Sequence, residues 1–204
     1  MTIHPNSQGF AGSVAGSRDG VLSNRMNKPL PVWTIGHSTR PISELTAALG
    51  AFEIQVLADV RSFPGSRRYP QFGKAELAAA LAEVGIEYQH FRELGGRRHA
   101  RSGSQNIAWR NDAFRGYADY METEDFRAGI ARLCELARTR RTAMMCAEAV
   151  WWRCHRGLIS DYLKASGVEV IHILGAKHSE GHPFTSAARI VGGELSYRAL
   201  LQDE

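Results

Sequence analysis

The sequence predicts an α/β fold: a single domain with a mostly parallel sheet and helices on both faces, in a three-layer, Rossmann-like arrangement. Short apolar segments rich in β-branched residues alternate with segments whose apolar residues recur at helical spacing. The 204 residues, of which 44% are hydrophobic and 23% charged, suffice to bury one core. The glycine-rich fingerprint of dinucleotide-binding proteins is absent, so we expect this architecture without a dinucleotide site.

Residues 1–30 hold Gly, Ser and Asn but few large apolar side chains, which predicts a disordered N-terminal tail before a single domain over 31–204. Met26 stands shortly before the first predicted strand, so translation starts at either Met1 or Met26. No segment has the length and apolarity of a transmembrane helix, and the N-terminus lacks the apolar core of a signal peptide. We therefore expect a cytoplasmic protein with no membrane partner, whose three cysteines are kept as thiols by a reducing compartment.

The predicted strands and helices alternate along the chain. Strands are predicted over 31–36, 54–60, 86–90, the segment 142–145 that leads into Cys146, and 168–174. Helices are predicted from Pro41 to Gly50, over 74–84, along the apolar stripes of 114–121 and 126–136, and after Arg156. The remainder of the chain from Gly175 is predicted to be irregular, with one last helix near 195–201.

Polar side chains follow the predicted strands at the points where the strands end. The first strand is followed by His37 and Ser38, the second by Asp59 and Arg61, and the fourth by Cys146 and Glu148. The carboxyl ends of parallel strands meet at one edge of a sheet, which is where ligands bind in open α/β folds. The sequence therefore predicts a functional site at this edge.

The segment from Cys146 to Arg156 concentrates thiol, carboxylate, imidazole and guanidinium groups between a strand and a helix. Cys146 is a candidate nucleophile, because a nearby cation or helix N-terminus lowers the pKa of a thiol; the alternative is a small buried apolar residue. Glu148 is a candidate general acid or base, or else an ion-pair partner of Arg156 or Arg61. His155 is a candidate general base or a candidate hydrogen-bond donor to a bound anion, or else a helix-cap histidine.

A second polar centre follows the first two strands. Asp59 is predicted to orient Arg61 or His37 while Arg61 holds a phosphate or carboxylate, with a plain strand-end ion pair as the alternative. His37 is a candidate general base or hydrogen-bond donor. The alternative is a core histidine whose hydrogen bonds are all made within the protein. The predicted catalytic residues are Cys146, Glu148, His155, His37 and Asp59, and the predicted substrate-binding residues are Arg61, Arg156, Ser38, Arg67 and Cys154.

Two motif tests narrow the chemistry. A cysteine phosphatase or sulfurtransferase loop places an arginine six residues after its nucleophile, but that position is Trp152, and Arg153 lies one residue later. Cys154 has three interpretations: a second thiol within reach of Cys146, a helix-start residue, or part of the packing. Structural zinc sites use paired Cys and His ligands, and His155 with the two cysteines is a poor set, so we expect neither a metal nor a cofactor.

Arginine accounts for 21 of the 25 basic residues, and guanidinium groups suit phosphate and carboxylate recognition. Basic residues that could follow a nucleic acid backbone are Arg67, Arg68, Arg92, Arg97, Arg98, Arg101, Arg110 and Arg115. Aromatic residues that could stack on bases are Tyr69, Phe72, Phe91 and Trp109. The alternative is a solvated loop surface in an arginine-rich chain.

These residues, taken together, resemble the domain of unknown function 488 family. The resemblance is carried by residues 34–39, Asp59-Val60-Arg61 with Pro64, Ser66 and Arg67, Cys146-Ala147-Glu148 with Cys154-His155-Arg156, and later His182-Pro183 and Gly193-Glu194-Leu195. It runs from about Val32 to about Tyr197. The resemblance implies a single cytosolic α/β domain and assigns no reaction.

The residues favour an enzyme that acts on a small anionic or nucleotide-like substrate, as a thiol-dependent hydrolase or transferase. One alternative is a nucleic-acid-associated protein, DNA-binding or linked to repair, that uses the arginine-rich loops. Another is a non-catalytic binding module whose strand ends form ion pairs. An open crevice containing Cys146, Arg61 and His155 would favour chemistry, whereas sealed and mutually paired side chains would favour the alternatives.

Overall fold

A computed structural model of the protein describes residues 31–65 and 67–199. The predicted tail over 1–30 lies outside the described residues, as do Ser66 and residues 200–204. The main sheet consists of β1 (Val32–Gly36), β2 (Val56–Asp59), β3 (Glu87–His90), β4 (Thr142–Cys146), β5 (Val170–Gly175) and β6 (His178–Gly181), in the order β3-β2-β4-β1-β5-β6. All neighbours in this sheet are parallel except β5 and β6, which form an antiparallel pair.

Helices cover both faces of the main sheet. Helices α1 (Ile42–Ala51) and α2 (Lys74–Glu83) pack on one face, and α3 (Asp112–Tyr120), α4 (Glu124–Thr139) and α5 (Arg156–Ala165) pack on the other. The alternation of side chains along β4 serves both layers, because Ala143 and Met145 join the core under α1 and α2, whereas Met144 and Cys146 join the core under α3 to α5. The predicted three-layer α/β fold is confirmed.

The strand register aligns the ends that carry the predicted site. Gly36 of β1 pairs with Cys146 of β4, while Asp59 of β2 pairs with both Met145 and His90. The pairing extends past the strand ends, since the N–H of His37 donates to the carbonyl oxygen of Cys146 at 3.0 Å. The carboxyl ends of β1, β2, β3 and β4 therefore lie side by side at one edge, as the sequence predicts.

The prediction of a last helix near 195–201 is wrong for the residues that the structure describes. Strands β7 (Arg189–Val191) and β8 (Glu194–Ser196) form an antiparallel hairpin instead. Its two loop residues, Gly192 and Gly193, have φ of 59° and 87°, a conformation that glycine adopts readily and that matches the twist of a two-residue hairpin. Strand β6 also belongs to the segment that was predicted to be irregular.

None of the helices in the described part of the chain combines the length and the apolar composition that a membrane crossing requires.

Candidate functional site

An open cleft of about 560 Å³ lies at the carboxyl ends of β1, β2 and β4. Seven of the ten predicted site residues line it: His37, Ser38, Arg61, Cys146, Glu148, Cys154 and His155. The cleft is also lined by Ser62, Phe63, Tyr69, Gly96, Arg97, Phe114 and Arg153. The juxtaposition predicted from the strand ends is therefore present in the fold, and it opens to the surface.

Three predicted site residues lie outside the lining of the cleft. Asp59 is fully buried behind Arg61, and Arg156 is 2% exposed. Arg67 is exposed on the loop after β2 but does not line the cleft. Asp59 and Arg156 are therefore buried behind the cleft, where they can only support the residues that line it. Arg67 is not placed to contact a ligand in the cleft.

Asp59 and Arg61 form a buried clamp at the end of β2. The Arg61 Nε donates to Asp59 Oδ1 at 2.8 Å and its Nη2 donates to Oδ2 at 2.6 Å, while the Tyr88 hydroxyl donates to Oδ2 at 2.7 Å. The Arg61 Nη1 donates to the Phe72 carbonyl at 2.9 Å and lies 3.3 Å from His37 Nε2. Asp59 thus pairs with Arg61 and neutralises most of its charge, a geometry that fits both the predicted orienting role and the plain strand-end ion pair.

His37 is held in one tautomer beside this clamp. Its Nδ1 lies 2.9 Å from the Ser38 carbonyl oxygen, which can only accept, so Nδ1 carries the proton and Nε2 accepts from Arg61. Burial, with a smaller contribution from the Arg61 guanidinium, lowers the pKa of His37 to about 4. Its ring stacks on Phe72, with centroids 4.1 Å apart. His37 is therefore a neutral imidazole at the wall of the cleft.

The sulfur atoms of Cys146 and Cys154 are in contact, while the Cα atoms of the two residues are 7.6 Å apart, beyond the separation usual in a disulfide. The third cysteine, Cys134, lies apart from them on α4. The expectation that the cysteines remain thiols stays a prediction. The intervening residues fold back through a short 3-10 turn, Trp151–Arg153, which brings Cys154 under the end of β4, and no spacing rule identifies such a return. Of the three interpretations of Cys154, two hold in the structure: its sulfur is within reach of Cys146, and its side chain packs in the hydrophobic core.

His155 links Cys154 to the end of β2. Its Nε2 lies 2.9 Å from the Val60 carbonyl oxygen, so Nε2 carries the proton, and its Nδ1 lies 3.5 Å from the Cys154 sulfur. Burial lowers the pKa of His155 to about 4, so the ring is neutral at physiological pH and Nδ1 is an acceptor. Gly96 packs against the ring so closely that an added Cβ would overlap with it. His155 thus has a fixed orientation and an acceptor aimed at a thiol.

Arg156 holds the loop between the two cysteines from beneath. Its Nη2 donates to the carbonyl oxygens of Glu148 at 2.9 Å and Ala149 at 3.4 Å, while its Nε has no partner among the described residues. Burial lowers the pKa of Arg156 to about 9, which leaves it charged at neutral pH. The Glu148 carboxylate is exposed, and Arg156 contacts the backbone of Glu148 rather than this carboxylate. Glu148 therefore lines the cleft with an exposed carboxylate and provides a backbone carbonyl to Arg156.

The mouth of the cleft combines cations with aromatic rings. Arg97 and Arg153 are exposed lining residues, and the Arg97 guanidinium lies 5.4 Å from the centre of the Phe63 ring. Phe63 is 67% exposed, and Phe114 from α3 also lines the cleft. The sequence places Arg97 in a basic patch but not in this cleft, because Phe91 to Trp109 reads as one long loop without a helical or strand period.

A second polar cluster, which we call the buried network, was not predicted. Its hydrogen bonds run from Thr34 Oγ1 to His172 Nδ1 (2.7 Å), from His172 Nε2 to His182 Nδ1 (2.8 Å) and from His182 Nε2 to Asp161 Oδ1 (3.0 Å). The same aspartate accepts from the hydroxyls of Thr185 at 2.6 Å and Tyr197 at 2.8 Å. The members come from β1, α5, β5 and the C-terminal segment, so no local spacing in the sequence reveals them.

The buried network supports the cleft through one tryptophan. Trp151, from the loop between the paired cysteines, stacks parallel to His172 with ring centroids 4.6 Å apart, and its Nε1 donates to Glu180 at 2.7 Å. Within residues 31–65 and 67–199, no group of three or more Cys, His, Asp or Glu side chains is arranged to hold a metal ion. The cleft itself is lined by sulfur, imidazole, carboxylate and guanidinium groups.

The fold and the cleft define a three-layer α/β protein with a polar site at the carboxyl ends of its parallel strands. A family model described as a domain of unknown function, DUF488, matches residues 41–163, more than half of the chain. The protein belongs to this family, which confirms the resemblance seen in its motifs. No curated protein and no solved structure matches the chain at the significance required.

Proposed function

We propose that the protein is a thiol-dependent enzyme that acts on a small anionic or nucleotide-like substrate in this cleft. The observation that carries the proposal is that a cysteine pair, a neutral histidine with a bare Nδ1 and two exposed arginines line one open cavity. An open crevice containing Cys146, Arg61 and His155 was the arrangement expected of a site for chemistry.

The mouth of the cleft supports an anionic substrate. Arg97 and Arg153 offer charged donors at its rim, whereas the charge of Arg61 is largely taken up by Asp59. The guanidinium of Arg61 is engaged by Asp59, His37 and the Phe72 carbonyl, so the charged donors that face an anion are those of Arg97 and Arg153. An aromatic ring at Phe63 provides a surface on which a base can stack.

The floor of the cleft supports thiol chemistry. A thiol of the cysteine pair is the nucleophile, and His155 Nδ1 is placed to take its proton at the Cys154 sulfur. Glu148, with its exposed carboxylate, is the candidate acid or base toward the substrate. His37 holds an acceptor nitrogen toward Arg61 and therefore serves as a positioning residue.

Binding of inorganic phosphate and of AMP to the reduced protein, measured by calorimetry at low salt, tests the anionic substrate. The variants Arg97→Gln and Arg153→Gln should each weaken binding roughly tenfold, which corresponds to about 1.4 kcal/mol. Arg138→Gln is the matched control, because Arg138 is an exposed arginine on α4, away from the cleft. Failure of both anions to bind at low salt would contradict the proposal.

Alkylation of the reduced protein by iodoacetate across a pH series tests the thiol. The cleft cysteines should react at lower pH than Cys134, because the Cys154 sulfur has a helix N–H and His155 Nδ1 beside it, whereas burial raises the pKa of the Cys134 thiol. Cleft cysteines that remain inert up to high pH, while Cys134 reacts, would exclude the nucleophile role.

One observation favours the alternative of a nucleic-acid-associated protein. Two exposed aromatic residues lie close, in space or in sequence, to the arginines at the mouth of the cleft. Phe63 is 67% exposed beside Arg97, and Trp152 is 51% exposed next to Arg153. Phosphate contacts strengthen as salt falls, so an absence of binding to single-stranded or double-stranded DNA at low salt would remove this alternative.

A further inference from the structure

The two paired cysteines have unequal surroundings. The Cys154 sulfur accepts from the backbone N–H of Arg156, the first residue of α5, at 3.5 Å and lies 3.5 Å from His155 Nδ1. The Cys146 sulfur contacts the Glu148 carbonyl oxygen at 4.0 Å, where only a protonated thiol can donate. One sulfur therefore has an N–H donor and a base, whereas the other faces a carbonyl acceptor.

This asymmetry favours the thiolate on Cys154. The N–H groups of the first turn of a helix carry a partial positive charge, which stabilises an anion placed against them. His155 Nδ1 can accept the thiol proton, because Nε2 is already committed as a donor to Val60. Cys154 is also the more exposed of the two residues, at 5% against 1% for Cys146. The residue placed to attack a substrate is thus Cys154, and Cys146 lies in contact behind it.

We propose that Cys154 and Cys146 form a dithiol–disulfide couple that reduces a small anionic disulfide bound in the cleft. In the first step the Cys154 sulfur attacks one sulfur of the disulfide R–S–S–R, forming a Cys154–S–S–R bond and releasing R–S⁻, while the Cys154 proton passes by way of His155 Nδ1 to that leaving thiolate. In the second step the Cys146 thiol loses its proton and its sulfur attacks Cys154, forming the internal disulfide and releasing the second R–S⁻, which takes up that proton. Two thiols are oxidised and one substrate disulfide is reduced to two thiols.

The substrate class rests on the proposed function, which places anions at the mouth of the cleft. A disulfide whose arms carry carboxylates brings its negative groups to Arg97 and Arg153 while its sulfurs reach the floor. A neutral disulfide gains nothing from these two arginines. The rate difference between an anionic and a neutral disulfide therefore reports on the rim, and the formation of the internal disulfide reports on the sulfur pair.

The test is to incubate the fully reduced protein with oxidised glutathione or with 2-hydroxyethyl disulfide and to follow the intact mass after quenching with an alkylating agent. The wild type should lose two alkylatable thiols without gaining mass from glutathione. Cys146→Ser should stop after the first step and accumulate one glutathione, which peptide mapping places on Cys154. Cys154→Ser should react at least ~100-fold more slowly, and Cys134→Ser, the control outside the cleft, should behave as the wild type does.

Each result bears on a separate part of the proposal. The couple would be overturned if the internal disulfide forms with neither probe, even if phosphate and AMP bind. It would also be overturned if Cys146 in the Cys154→Ser variant takes up glutathione as fast as Cys154 does in the Cys146→Ser variant. Oxidised glutathione should react at least ~10-fold faster than the neutral probe at low salt. Equal rates for the two probes would refute the anionic substrate class and contradict the proposed function, while the exchange chemistry of the pair would stand.

Discussion

The buried clamp of Asp59 and Arg61 predicts a large and strongly coupled effect on stability. Asp59→Asn keeps the shape of the side chain but removes the charge that faces Arg61, which is 7% exposed. The N–H, Nε and Nη2 of Arg61 and the hydroxyl of Tyr88 all donate to this carboxylate. Leaving a buried guanidinium without its counter-charge costs about 3–5 kcal/mol, so we expect the free energy of unfolding to fall by about that amount.

Urea unfolding, followed by circular dichroism, measures the effect as a double-mutant cycle with Arg61→Met. The double variant removes both charges and should cost at least about 1 kcal/mol less than the sum of the single variants, because neither charge is left buried alone. Glu135→Gln is the control, since its ion pair with Arg138 is exposed and should contribute less than about 1 kcal/mol. A loss below about 1 kcal/mol for Asp59→Asn, or strict additivity, would refute the assignment of the clamp as a coupled buried pair.

Three further perturbations test other parts of the site and its support. Gly36→Ala should destabilise the protein and slow alkylation of the cleft thiols, because the added Cβ would overlap with the carbonyl oxygen of Glu148. Gly50→Ala is the control inside α1, where the added Cβ meets no atom within 4 Å, and it should stabilise the protein by about 0.5–1 kcal/mol. Equal effects of the two variants on the free energy of unfolding would contradict the steric argument. Burial lowers the pKa of His37 and His155 to about 4, so as pH falls from about 6.5 toward 4 only the unfolded state takes up these protons. The free energy of unfolding measured in urea should therefore fall by on the order of 3 kcal/mol per histidine, and a flat profile over that range would exclude buried neutral rings. Tyr197→Phe removes a hydroxyl that donates to the buried network and should lower stability by about 1–2 kcal/mol in the same assay, whereas an unchanged value would show that this hydrogen bond does not hold the C-terminal segment.

The position of the site could be predicted from sequence because parallel strands order their ends. Once β1, β2 and β4 are recognised as buried apolar segments, the residues after them must share an edge, and the distances between His37, Arg61 and Cys146 follow from strand spacing. The roles of the residues are harder to predict, because a role depends on which atom faces which. Arg156 illustrates this: the sequence places it beside an anion, whereas its side chain turns under the loop and binds two carbonyl oxygens.

The features that could not be predicted from the sequence are those formed by contacts between residues far apart in the chain. The buried network joins Thr34 to His172 across 138 positions of the chain, and each histidine alone reads as an ordinary core residue. The β7–β8 hairpin was missed because Leu195 and later apolar residues also fit a helical period, while the deciding signal is the pair of glycines at the turn. Contacts between the two cysteines depend on the return of the 3-10 turn, and that turn is fixed by Trp151 packing on His172.

The charges at the base of the cleft favour a negative charge on sulfur. The guanidinium of Arg61 is matched by Asp59, and His37 and His155 are neutral, so neither the clamp nor the imidazoles contribute a strong net charge. Arg156 remains positive, yet no carboxylate among the described residues forms an ion pair with it. Its Nη2 and the Cys146 sulfur contact the same carbonyl oxygen of Glu148, which places this buried cation, offset only in part by the Glu148 carboxylate, next to the cysteine pair. A thiolate formed there would offset that charge, so the burial that makes Arg156 costly to the fold also lowers the cost of ionising a thiol in the cleft.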